Sequence, residues 1–321
     1  MRGRPRYHFC TLFDRHYATR GIALLRSLEQ HCREEFRFTI LCMDQETQAL
    51  LAKLDLRKTD LILPKDLGDA ELLAAERSRP RREFCWTCPP SLMLYMLNRL
   101  APGEIATYVD ADLAFFSDPG PVYAELGDKD IAIHGHRFSP EYQASEATSG
   151  TFNVGLIAIR NAPQGRACLE RWRLQCLEKC ALDPDNGYCG DQKYLDEWPS
   201  LYDRLVVLQH PGVCLAPWNI RNYAIGEKDG QVTVNGAPLI FYHYHSLVPL
   251  RMNFLGRCAL VPSHGYQFSS TQQRLIYRPY ASLLRLAQRQ TDRCAPGSLK
   301  RPQASWRSLW QSYRSGQFVT G

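Results

Sequence analysis

The chain has 321 residues, of which 45% are hydrophobic and 22% charged, and its formal net charge is +6. This composition is that of an ordinary globular protein rather than a disordered or fibrous one, and the length suffices for one large α/β domain or two smaller ones. No apolar stretch approaches the length of a membrane-spanning helix, so we do not expect an integral membrane protein.

The N-terminal part alternates between apolar runs of strand length and helical patterns. The predicted elements are, in order, strand Tyr7–Phe13, helix Tyr17–His31, strand Phe36–Met43, helix Thr47–Leu54 and strand Leu61–Leu63. Such alternation predicts a parallel sheet with helices on its faces. Ligands of these sheets bind beyond the carboxyl ends of the strands. Thr11 and Asp44 lie at two such ends and are therefore candidate ligand contacts.

The middle of the chain mixes loops with further strands. A polar, Arg-rich stretch over residues 64–89 predicts a surface loop. Pro89 and Pro90 then open a predicted helix, Ser91–Leu100, because proline is tolerated in the first turn of a helix. Residues Phe138–Thr148 are polar and lack periodicity, so they are a candidate lid. The later predicted elements are strands Ile105–Val109, Ile131–His134, Phe152–Ile159, Leu205–Leu208 and Leu239–Tyr244, and helix Arg166–Cys180.

Two carboxylates, Asp110 and Asp112, close the apolar run Ile105–Val109. If the run continues as a strand, both side chains point to the same side of the sheet. Two anions aimed at one point repel each other unless a cation lies between them, and oxygen ligands suit Mg²⁺ or Mn²⁺. The alternative is a solvated strand end before the turn Ser117–Gly120, because so short a motif also arises by chance.

The twelve cysteines are scattered through apolar and helical segments. No signal-peptide core precedes the first predicted strand, so we expect reduced thiols in a cytoplasmic protein. Cys85 with Cys88, and Cys176 with Cys180, have spacings seen in zinc or redox sites. Neither pair has a matching second pair nearby, and we expect neither role.

The C-terminal region is basic. Between Arg274 and Arg314 there are nine lysines and arginines and one acid, Asp292. Such a stretch can contact an anionic membrane surface or nucleic acid, and we expect peripheral contact with the inner membrane surface and no nucleic-acid partner. The alternative is a solvated helix face followed by a loose tail. Residues 295–321 are rich in Pro, Ser, Gln and Arg, which predicts partial disorder.

Four polar features follow one another along the chain: Asp110 with Asp112, Asn153, Asp191 with Gln192, and the run His243-Tyr-His245. Together they resemble the motifs of GT-A glycosyltransferases, most closely the retaining enzymes of glycosyltransferase family 8 and their bacterial relatives. Tyr108–Asp112 resembles the metal motif of that family, Phe152–Gly155 its N-x-G strand, Gly190–Gln192 its helix start, and Ile240–Ser246 its late histidine strand. The resemblance covers roughly residues 7–255.

This resemblance implies a fold and a domain organisation. Residues 1–260 would form a GT-A (Rossmann-like) α/β domain with a mixed, mostly parallel sheet flanked by helices. Residues 261–294 would form a basic helical extension packed on or beside it, and residues 295–321 a basic tail.

The resemblance also assigns roles to individual residues. Asp110, Asp112 and His243 would bind Mn²⁺ or Mg²⁺, with His245 as a further ligand or as a phosphate contact. Asn153, Asp191 and Gln192 would lie over the donor sugar, with Gln192 near the reacting carbon. Amide side chains both donate and accept hydrogen bonds, which suits sugar hydroxyls, although Asp191 at a helix start could instead be an N-terminal cap.

The remaining predicted contacts concern the nucleotide and the acceptor. The predicted nucleotide contacts are Thr11, Asp44, Asp110, Ala111 and Arg251. The arginine that the family carries ahead of its D-x-D motif has no counterpart in Ser91–Leu97, and Arg251 stands near the place of the family's phosphate-binding lysine. The run Trp218–Tyr223 has aromatic and amide side chains that suit an acceptor sugar or, equally, a packed loop.

The implied reaction is the metal-dependent transfer of a hexose from a nucleotide diphosphate sugar, UDP-linked, to a glycan or glycolipid, with retention of anomeric configuration. A second hypothesis is a nucleotidyltransferase that makes the sugar nucleotide. It conflicts with the absence of a Gly-rich loop with Arg and Lys after the first strand, where the chain reads Thr11–His16. A third hypothesis is a non-catalytic nucleotide-sugar-binding scaffold, and the intact acids, amides and histidines argue against it.

Overall fold

A computed structural model of the chain describes residues 6–251, 258–262, 265–297, 299, 306–314 and 317–320. The strands are β1 (Tyr7–Phe13), β2 (Phe36–Cys42), β3 (Thr59–Ile62), β4 (Ile105–Val109), β5 (Leu113–Phe115), β6 (Ile131–Gly135), β7 (Phe152–Arg160), β8 (Leu182–Asp183), β9 (Tyr188–Cys189), β10 (Leu205–Val207), β11 (Ile225–Lys228), β12 (Gln231–Val234), β13 (Ala237–Pro238), β14 (Phe241–His243), β15 (Leu247–Arg251), β16 (Cys258–Pro262) and β17 (Val319–Thr320).

The α-helices are α1 (Ala18–His31), α2 (Gln45–Ala52), α3 (Ala70–Ser78), α4 (Arg81–Leu97), α5 (Gly120–Leu126), α6 (Glu146–Ser149), α7 (Pro163–Glu178), α8 (Trp198–Leu201), α9 (Ser270–Gln272), α10 (Arg278–Cys294) and α11 (Trp306–Arg314). Short 3-10 helices lie between them, and the turn of π-helix Gln273–Tyr277 leads into α10.

The main sheet has seven strands in the order β10-β6-β7-β4-β1-β2-β3. β7 runs antiparallel to both of its neighbours, and the other pairs are parallel. This arrangement confirms the predicted α/β fold with a mixed, mostly parallel sheet. Because β7 is reversed, its first residues lie at the carboxyl ends of β4 and β6: Asn153 pairs with His134, and Leu156 pairs with Val109.

Helices cover both faces of this sheet and divide the core into two layers. On one face α1 covers β1 and β2, and Leu24 shares a buried cluster with Phe9. On the other face α4 and α7 pack against each other over the sheet, and Leu92 and Trp172 share a cluster with Tyr108. The strands are apolar on both faces because both faces are covered, as expected for strands of a largely parallel sheet.

The loop predicted over residues 64–89 is wrong. This stretch contains a short 3-10 helix, Pro64–Leu67, then α3 and the first half of α4, and Pro89 and Pro90 lie inside α4. A proline inside a helix costs about 3 kcal/mol. Phe84, Cys88, Leu92 and Met96 recur every four residues and are all buried. Burial of each large apolar side chain contributes about 1.5–3 kcal/mol, so this buried stripe is of the same order as the penalty of the two prolines together.

The C-terminal extension packs on the main domain through a third cluster. Tyr280 of α10 stacks on Tyr244 with ring centroids 3.6 Å apart, and the hydroxyl of Tyr244 donates to the carbonyl of Ile276 at 2.8 Å. Tyr242 and Tyr277 are hydrogen-bonded through their hydroxyls. The extension therefore supports β14, the strand that ends in His243.

The structure describes part of the stretch over residues 295–321, for which partial disorder stays a prediction. That part contains α11 and β17, and β17 pairs with β16. Leu309 of α11 and Val319 of β17 are buried, so the tail has enough apolar surface to fold onto the domain.

Candidate active site

The two carboxylates of the D-x-D motif lie in a turn. β4 ends at Val109, the amide of Asp110 donates to the carbonyl of Gly155 at 2.9 Å, and the amide of Leu113 donates to the carbonyl of Asp110 at 3.2 Å. The predicted strand alternation is therefore wrong for these residues, because they form a turn between β4 and β5. The turn nevertheless places ligand atoms of Asp110, Asp112 and His243 within 4.8 Å of one another.

The pairing of β14 with β5 places His243 beside the turn. His243 pairs with Leu113, the residue after Asp112, and the amide of Tyr244 donates to the carbonyl of Asp112 at 2.9 Å. The imidazole Nε2 of His243 lies 3.2 Å from Asp112 Oδ1 and 3.8 Å from Asp110 Oδ2. A buried imidazole and two carboxylates, distant by more than 130 residues in sequence, thus converge on one point.

Gly155 allows this approach because it has no Cβ. A methyl group at this position would lie 2.9 Å from His243 Nδ1 and 2.6 Å from Asn153 Oδ1, both shorter than real Cβ contacts. On another side, the ring of Trp218 meets the His243 ring edge-to-face at 5.3 Å. The glycine of the N-x-G strand is therefore required by the close approach of the histidine to the backbone.

The three side chains fit a hard divalent cation. At bond lengths of about 2.1 Å, neighbouring ligand atoms of an octahedral ion are about 3 Å apart and opposite ones about 4.2 Å. The separations of 3.2 and 3.8 Å lie in this range without a rearrangement. Two carboxylate oxygens and one imidazole nitrogen also form a donor set that Mg²⁺ or Mn²⁺ accepts. Asp110, Asp112 and His243 would therefore hold such an ion.

Charge accumulates at this point of the fold. Burial, together with the charge of Asp112, raises the pKa of Asp110. Burial also disfavours the ionised form of Asp112, but the adjacent imidazole outweighs it and lowers the pKa of Asp112. Burial and the charge of Asp110 hold the pKa of Asp191 well above its usual range. Three carboxyl groups thus share one buried region, and a divalent cation would relieve their repulsion.

The predicted sugar-binding residues form one hydrogen-bond network. Asn153 Nδ2 donates to Gln192 Oε1 at 2.8 Å, and Gln192 Nε2 donates to the carbonyl of Ser149 at 2.8 Å. Asp191 lies beside them, and its carbonyl accepts from the indole of Trp172 at 2.8 Å. The structure thus brings Asn153, Asp191 and Gln192 together. The short helix that follows, Lys193–Glu197, has Gln192 as its N-terminal cap residue and no capping bond from that side chain.

Two buried histidines that were not predicted lie at the end of β6. Asn153 Nδ2 lies 3.2 Å from His136 Nε2, and the amide of Leu156 donates to His134 Nε2 at 3.2 Å. Burial lowers the pKa of His136 to about 3 and holds that of His134 well below its usual range, so both rings are neutral near pH 7. In the sequence, His134 lies at the end of an apolar strand and His136 follows it. Their contacts with Leu156 and Asn153 can be recognised only when β6 is paired with β7.

Arg20 was also missed. It is buried on α1, its guanidinium donates to the carbonyls of Leu247 at 2.7 Å and His16 at 3.4 Å, and it stacks 4.2 Å from the ring of Tyr17. Its positive charge helps to lower the pKa of Asp112. Among the described residues, the Arg20 guanidinium donates to backbone carbonyls and not to a carboxylate. A buried positive charge therefore lies near Asp112 without a carboxylate that is hydrogen-bonded to it.

The predicted nucleotide contacts have different environments. Thr11 is buried, and its hydroxyl has no hydrogen-bond partner among the described residues. Asp44 caps α2: its Oδ1 accepts from the amide of Thr47 at 2.7 Å, and its Oδ2 lies 3.0 Å from Arg81 Nη2. Ala111 lies in the D-x-D turn. Arg251 ends β15, and its side chain lies outside the described part of the chain.

His245 does not share a strand with His243, contrary to the sequence interpretation. β14 ends at His243, and the chain turns at Ser246, whose φ is 59°. The ring of His245 lies 6.1 Å from that of His243 and meets Trp218 edge-to-face at 5.4 Å. It is not a member of the group that Asp110, Asp112 and His243 form, and metal ligation by His245 stays a prediction.

The run that begins at Trp218 has the contacts of a packed loop. The indole of Trp218 and the amide nitrogen of Asn219 both donate to the carbonyl of His136, at 2.9 and 2.7 Å. The Asn219 oxygen accepts from the amide of Ala216 at 2.9 Å. These two side chains are buried and used within the protein, which favours the packed-loop interpretation over a direct contact with an acceptor sugar.

The cysteine pairs are separate from this site. Cys85, Cys88, Cys176 and Cys180 are free thiols, and burial raises the pKa of the Cys85 thiol to about 11. Among the described residues, the group of possible metal ligands consists of Asp110, Asp112 and His243 and contains none of these cysteines.

Comparison with known proteins identifies relatives and a shared fold. No family model matches the chain. The Bacillus subtilis (strain 168) proteins YfnD and YfnF, both described as uncharacterised, are 32% identical over 240 residues and 33% identical over 243 residues. Each alignment covers 74% of this chain, with 77% of YfnD and 80% of YfnF.

Two solved structures show the likeness in three dimensions. The galactosyltransferase LgtC, in complex with donor and acceptor sugar analogs, superposes with a TM-score of 0.56 at 15% identity, over 94% of this chain and 99% of that one. The apo form of the glycosyltransferase GlyE from Streptococcus pneumoniae TIGR4 gives 0.51 at 17% identity, over 88% and 62%. This likeness confirms the predicted GT-A fold, whereas membership of family 8 stays a prediction.

Proposed function

The chain belongs to the family of YfnD and YfnF, and we propose that it is a metal-dependent glycosyltransferase. The donor is a nucleotide diphosphate sugar, and the acceptor is a saccharide, a glycolipid or a protein-linked glycan. The observation that carries this proposal is the convergence of a two-carboxylate, one-imidazole group with a network of amide side chains at one edge of a GT-A sheet.

Asp110, Asp112, His243 and Arg20 would act on the diphosphate, which is the leaving group. Cleavage of the bond between the anomeric carbon and the diphosphate leaves its electron pair, and hence negative charge, on the phosphate oxygen. Asp110, Asp112 and His243 would hold a divalent ion, which would supply charge stabilisation for that oxygen without a proton donor. Arg20, buried beside the group and without a paired carboxylate among the described residues, adds a second positive charge for the diphosphate.

The amide side chains of the site would bind the sugar through hydrogen bonds. Gln192 is half-buried, and its carboxamide keeps one N–H and one lone pair free of the bonds to Asn153 and Ser149. These groups match sugar hydroxyls. The hexose, the UDP carrier, Mn²⁺ or Mg²⁺ as the ion and retention of configuration are parts of the proposal that rest on the sequence resemblance.

Donor cleavage tests the proposal. The purified protein is incubated with UDP-glucose or UDP-galactose, Mn²⁺ and a panel of saccharide acceptors, and UDP release is measured with and without EDTA. We expect release that EDTA abolishes and added Mn²⁺ restores. Formation of UTP from the sugar nucleotide and pyrophosphate would support a nucleotidyltransferase instead. Saturable nucleotide binding with no turnover on any acceptor or on water would support a scaffold.

We propose further that α11 contacts an anionic membrane surface. Trp306, Trp310 and Tyr313 recur at helical spacing and are 70%, 62% and 65% exposed, and Arg307 and Arg314 on the same helix are exposed. Exposed aromatic rings with flanking arginines suit the interface between lipid headgroups and acyl chains. The described chain contains no helix long and apolar enough to cross a bilayer.

Liposome sedimentation tests this contact. The double variant Trp306→Ser/Trp310→Ser should lose most binding to vesicles that contain phosphatidylglycerol. Leu174→Ser, which removes an apolar side chain that is 59% exposed on α7, is the matched control and should bind like the wild type. Equal binding by all three proteins would return α11 to the interpretation of a solvated tail.

A further inference from the structure

The orientation of the Gln192 side chain matters for the proposed transfer, and this inference rests on that proposed function. The oxygen and nitrogen of a carboxamide have nearly the same shape but opposite hydrogen-bonding roles. A rotation of 180° would therefore exchange a donor for an acceptor at the sugar. Some feature of the protein must select one of the two orientations.

The selection begins at the backbone. The amide of Gly155 donates to Asn153 Oδ1 at 2.9 Å, and a backbone N–H can only donate, so this atom of Asn153 has to be the oxygen. Asn153 Nδ2 then lies on the other side, where it donates to Gln192 Oε1. At the far end of the network the carbonyl of Ser149, which can only accept, receives Gln192 Nε2. Backbone groups thus determine which end of each amide is the oxygen, and the remaining hydrogen of Asn153 Nδ2 still needs an acceptor.

His136 completes the network as an acceptor. The Nδ2 group of Asn153 has two hydrogens, one for Gln192 and one directed to His136 Nε2 at 3.2 Å. The imidazole is 3% exposed, stacked on Phe138 with centroids 4.6 Å apart and edge-on to Trp218 at 5.4 Å. Because Asn153 Nδ2 can only donate, the neutral ring has to accept at Nε2 and carry its proton on Nδ1, whereas a ring protonated on Nε2 would place a second donor opposite Asn153 Nδ2.

We infer that His136 is a positioning residue for the transfer: its Nε2 holds the Asn153 amide, which holds the Gln192 carboxamide in one orientation. A purely structural role is the alternative. The backbone carbonyl of residue 136 accepts from Trp218 and Asn219 whatever its side chain is, so substitution of the ring leaves these structural bonds in place. The two roles can therefore be separated by substitution.

Two variants make the separation. His136→Phe keeps an aromatic ring for Phe138 and Trp218 but removes the acceptor, and His136→Gln places an amide oxygen near the position of Nε2. In steady-state assays with UDP-sugar and Mn²⁺, we expect His136→Phe to lower kcat by about ten- to a hundredfold, with KM for the donor changed by less than about threefold. His136→Gln should recover most of the lost kcat.

A second measurement does not depend on turnover. Hydrogen exchange of the side-chain amide protons of Asn153 and Gln192, followed by NMR in the sugar-free protein, should be at least about tenfold faster in His136→Phe than in the wild type, because one bond of the network is lost. Exchange rates at Asn219, whose bonds go to backbone carbonyls, should stay unchanged and serve as the internal control.

The outcomes are distinguishable. Wild-type kcat in His136→Phe, or equal losses in the Phe and Gln variants with a matching fall in Tm, would overturn the positioning role. Unchanged amide exchange would overturn the network itself. If the wild type cleaves no sugar nucleotide, the proposed function fails, and the exchange measurement still decides whether His136 orders the two amides.

Discussion

The two halves of the candidate site are stabilised in different ways. Around the D-x-D turn, Asp110 and Asp112 bring negative charge into a largely buried region, and the imidazole of His243 and the guanidinium of Arg20 offset it only in part. In the amide half, Asn153 and Gln192 bond to each other, to backbone groups and, through Asn153, to His136. The first half therefore needs a cation to be complete, whereas the second is ordered before any ligand arrives.

Gly155 joins the two halves. Its carbonyl accepts from the amide of Asp110, its amide donates to Asn153, and its Cα faces Nδ1 of His243. One residue thus bonds to the backbone of Asp110, lies against the imidazole of His243 and donates a hydrogen bond to the amide network. The following predictions, in order of decreasing effect on turnover, test this division.

Loss of one carboxylate of the proposed metal site should have the largest effect. Asp112→Asn keeps the shape of the side chain but removes a charged ligand, so we expect Mn²⁺ affinity to fall and kcat to fall by at least about a thousandfold. Calorimetric titration with Mn²⁺ and the UDP-release assay measure the two effects. Asp128→Asn, whose side chain is 83% exposed, is the control and should match the wild type. Normal turnover in Asp112→Asn would remove the metal site from consideration.

A methyl group at position 155 should damage both halves at once. In Gly155→Ala the Cβ meets His243 and Asn153 at distances that force a shift, so we expect turnover to fall by about a hundredfold and Mn²⁺ affinity to fall as well. Gly135→Ala on β6 is the matched control, since a Cβ there meets nothing closer than 3.5 Å. If Gly155→Ala bound Mn²⁺ like the wild type, the imidazole would not depend on this close approach.

Removal of Gln192 should affect the reacting centre more than binding. Gln192→Ala leaves the metal group intact, so we expect kcat to fall by about ten- to a hundredfold while the Kd for UDP and Mn²⁺ stays within about threefold of the wild type. Steady-state kinetics and calorimetry give the two numbers. A loss confined to donor affinity, at normal kcat, would contradict the assignment.

Support from the C-terminal extension should appear mainly in stability. Tyr280→Ala removes a ring that stacks on Tyr244, next to His243, and we expect the free energy of unfolding in urea to fall by about 3–5 kcal/mol. Turnover at low temperature should change least of all the variants. Tyr313→Ala on α11, where the ring is 65% exposed, is the control and should cost little stability. Unchanged stability in Tyr280→Ala would mean that β14 does not rely on the extension.

The sequence predicted those parts of the molecule that depend on neighbouring residues. The alternation of strands and helices is a local pattern, and it was enough to predict a mostly parallel sheet. Asp110 and Asp112 are two residues apart, so their shared role could be predicted although the turn that joins them could not. The resemblance to GT-A enzymes supplied the association of Asn153, Asp191 and Gln192.

The missed features depend on contacts between distant segments. Proline propensity favoured a helix start at Pro89, whereas the buried stripe of α4 extends the helix back to Arg81. In the sequence, Arg20 is one of several basic residues in a predicted helix. The Leu247 carbonyl to which it donates is 227 residues away. His136 follows β6 directly, and only the pairing of β6 with β7 places it beside Asn153. None of these contacts can be predicted from the neighbouring residues in the sequence.

Pulsed electron paramagnetic resonance of bound Mn²⁺ tests the central claim most directly, because it detects nitrogen coordinated to the ion. With UDP present, we expect coupling to one imidazole nitrogen in the wild type and its loss in His243→Gln, with the coupling retained in His245→Gln. Nitrogen coupling that persists in His243→Gln, or an ion with no nitrogen ligand in the wild type, would contradict a single site built from Asp110, Asp112 and His243.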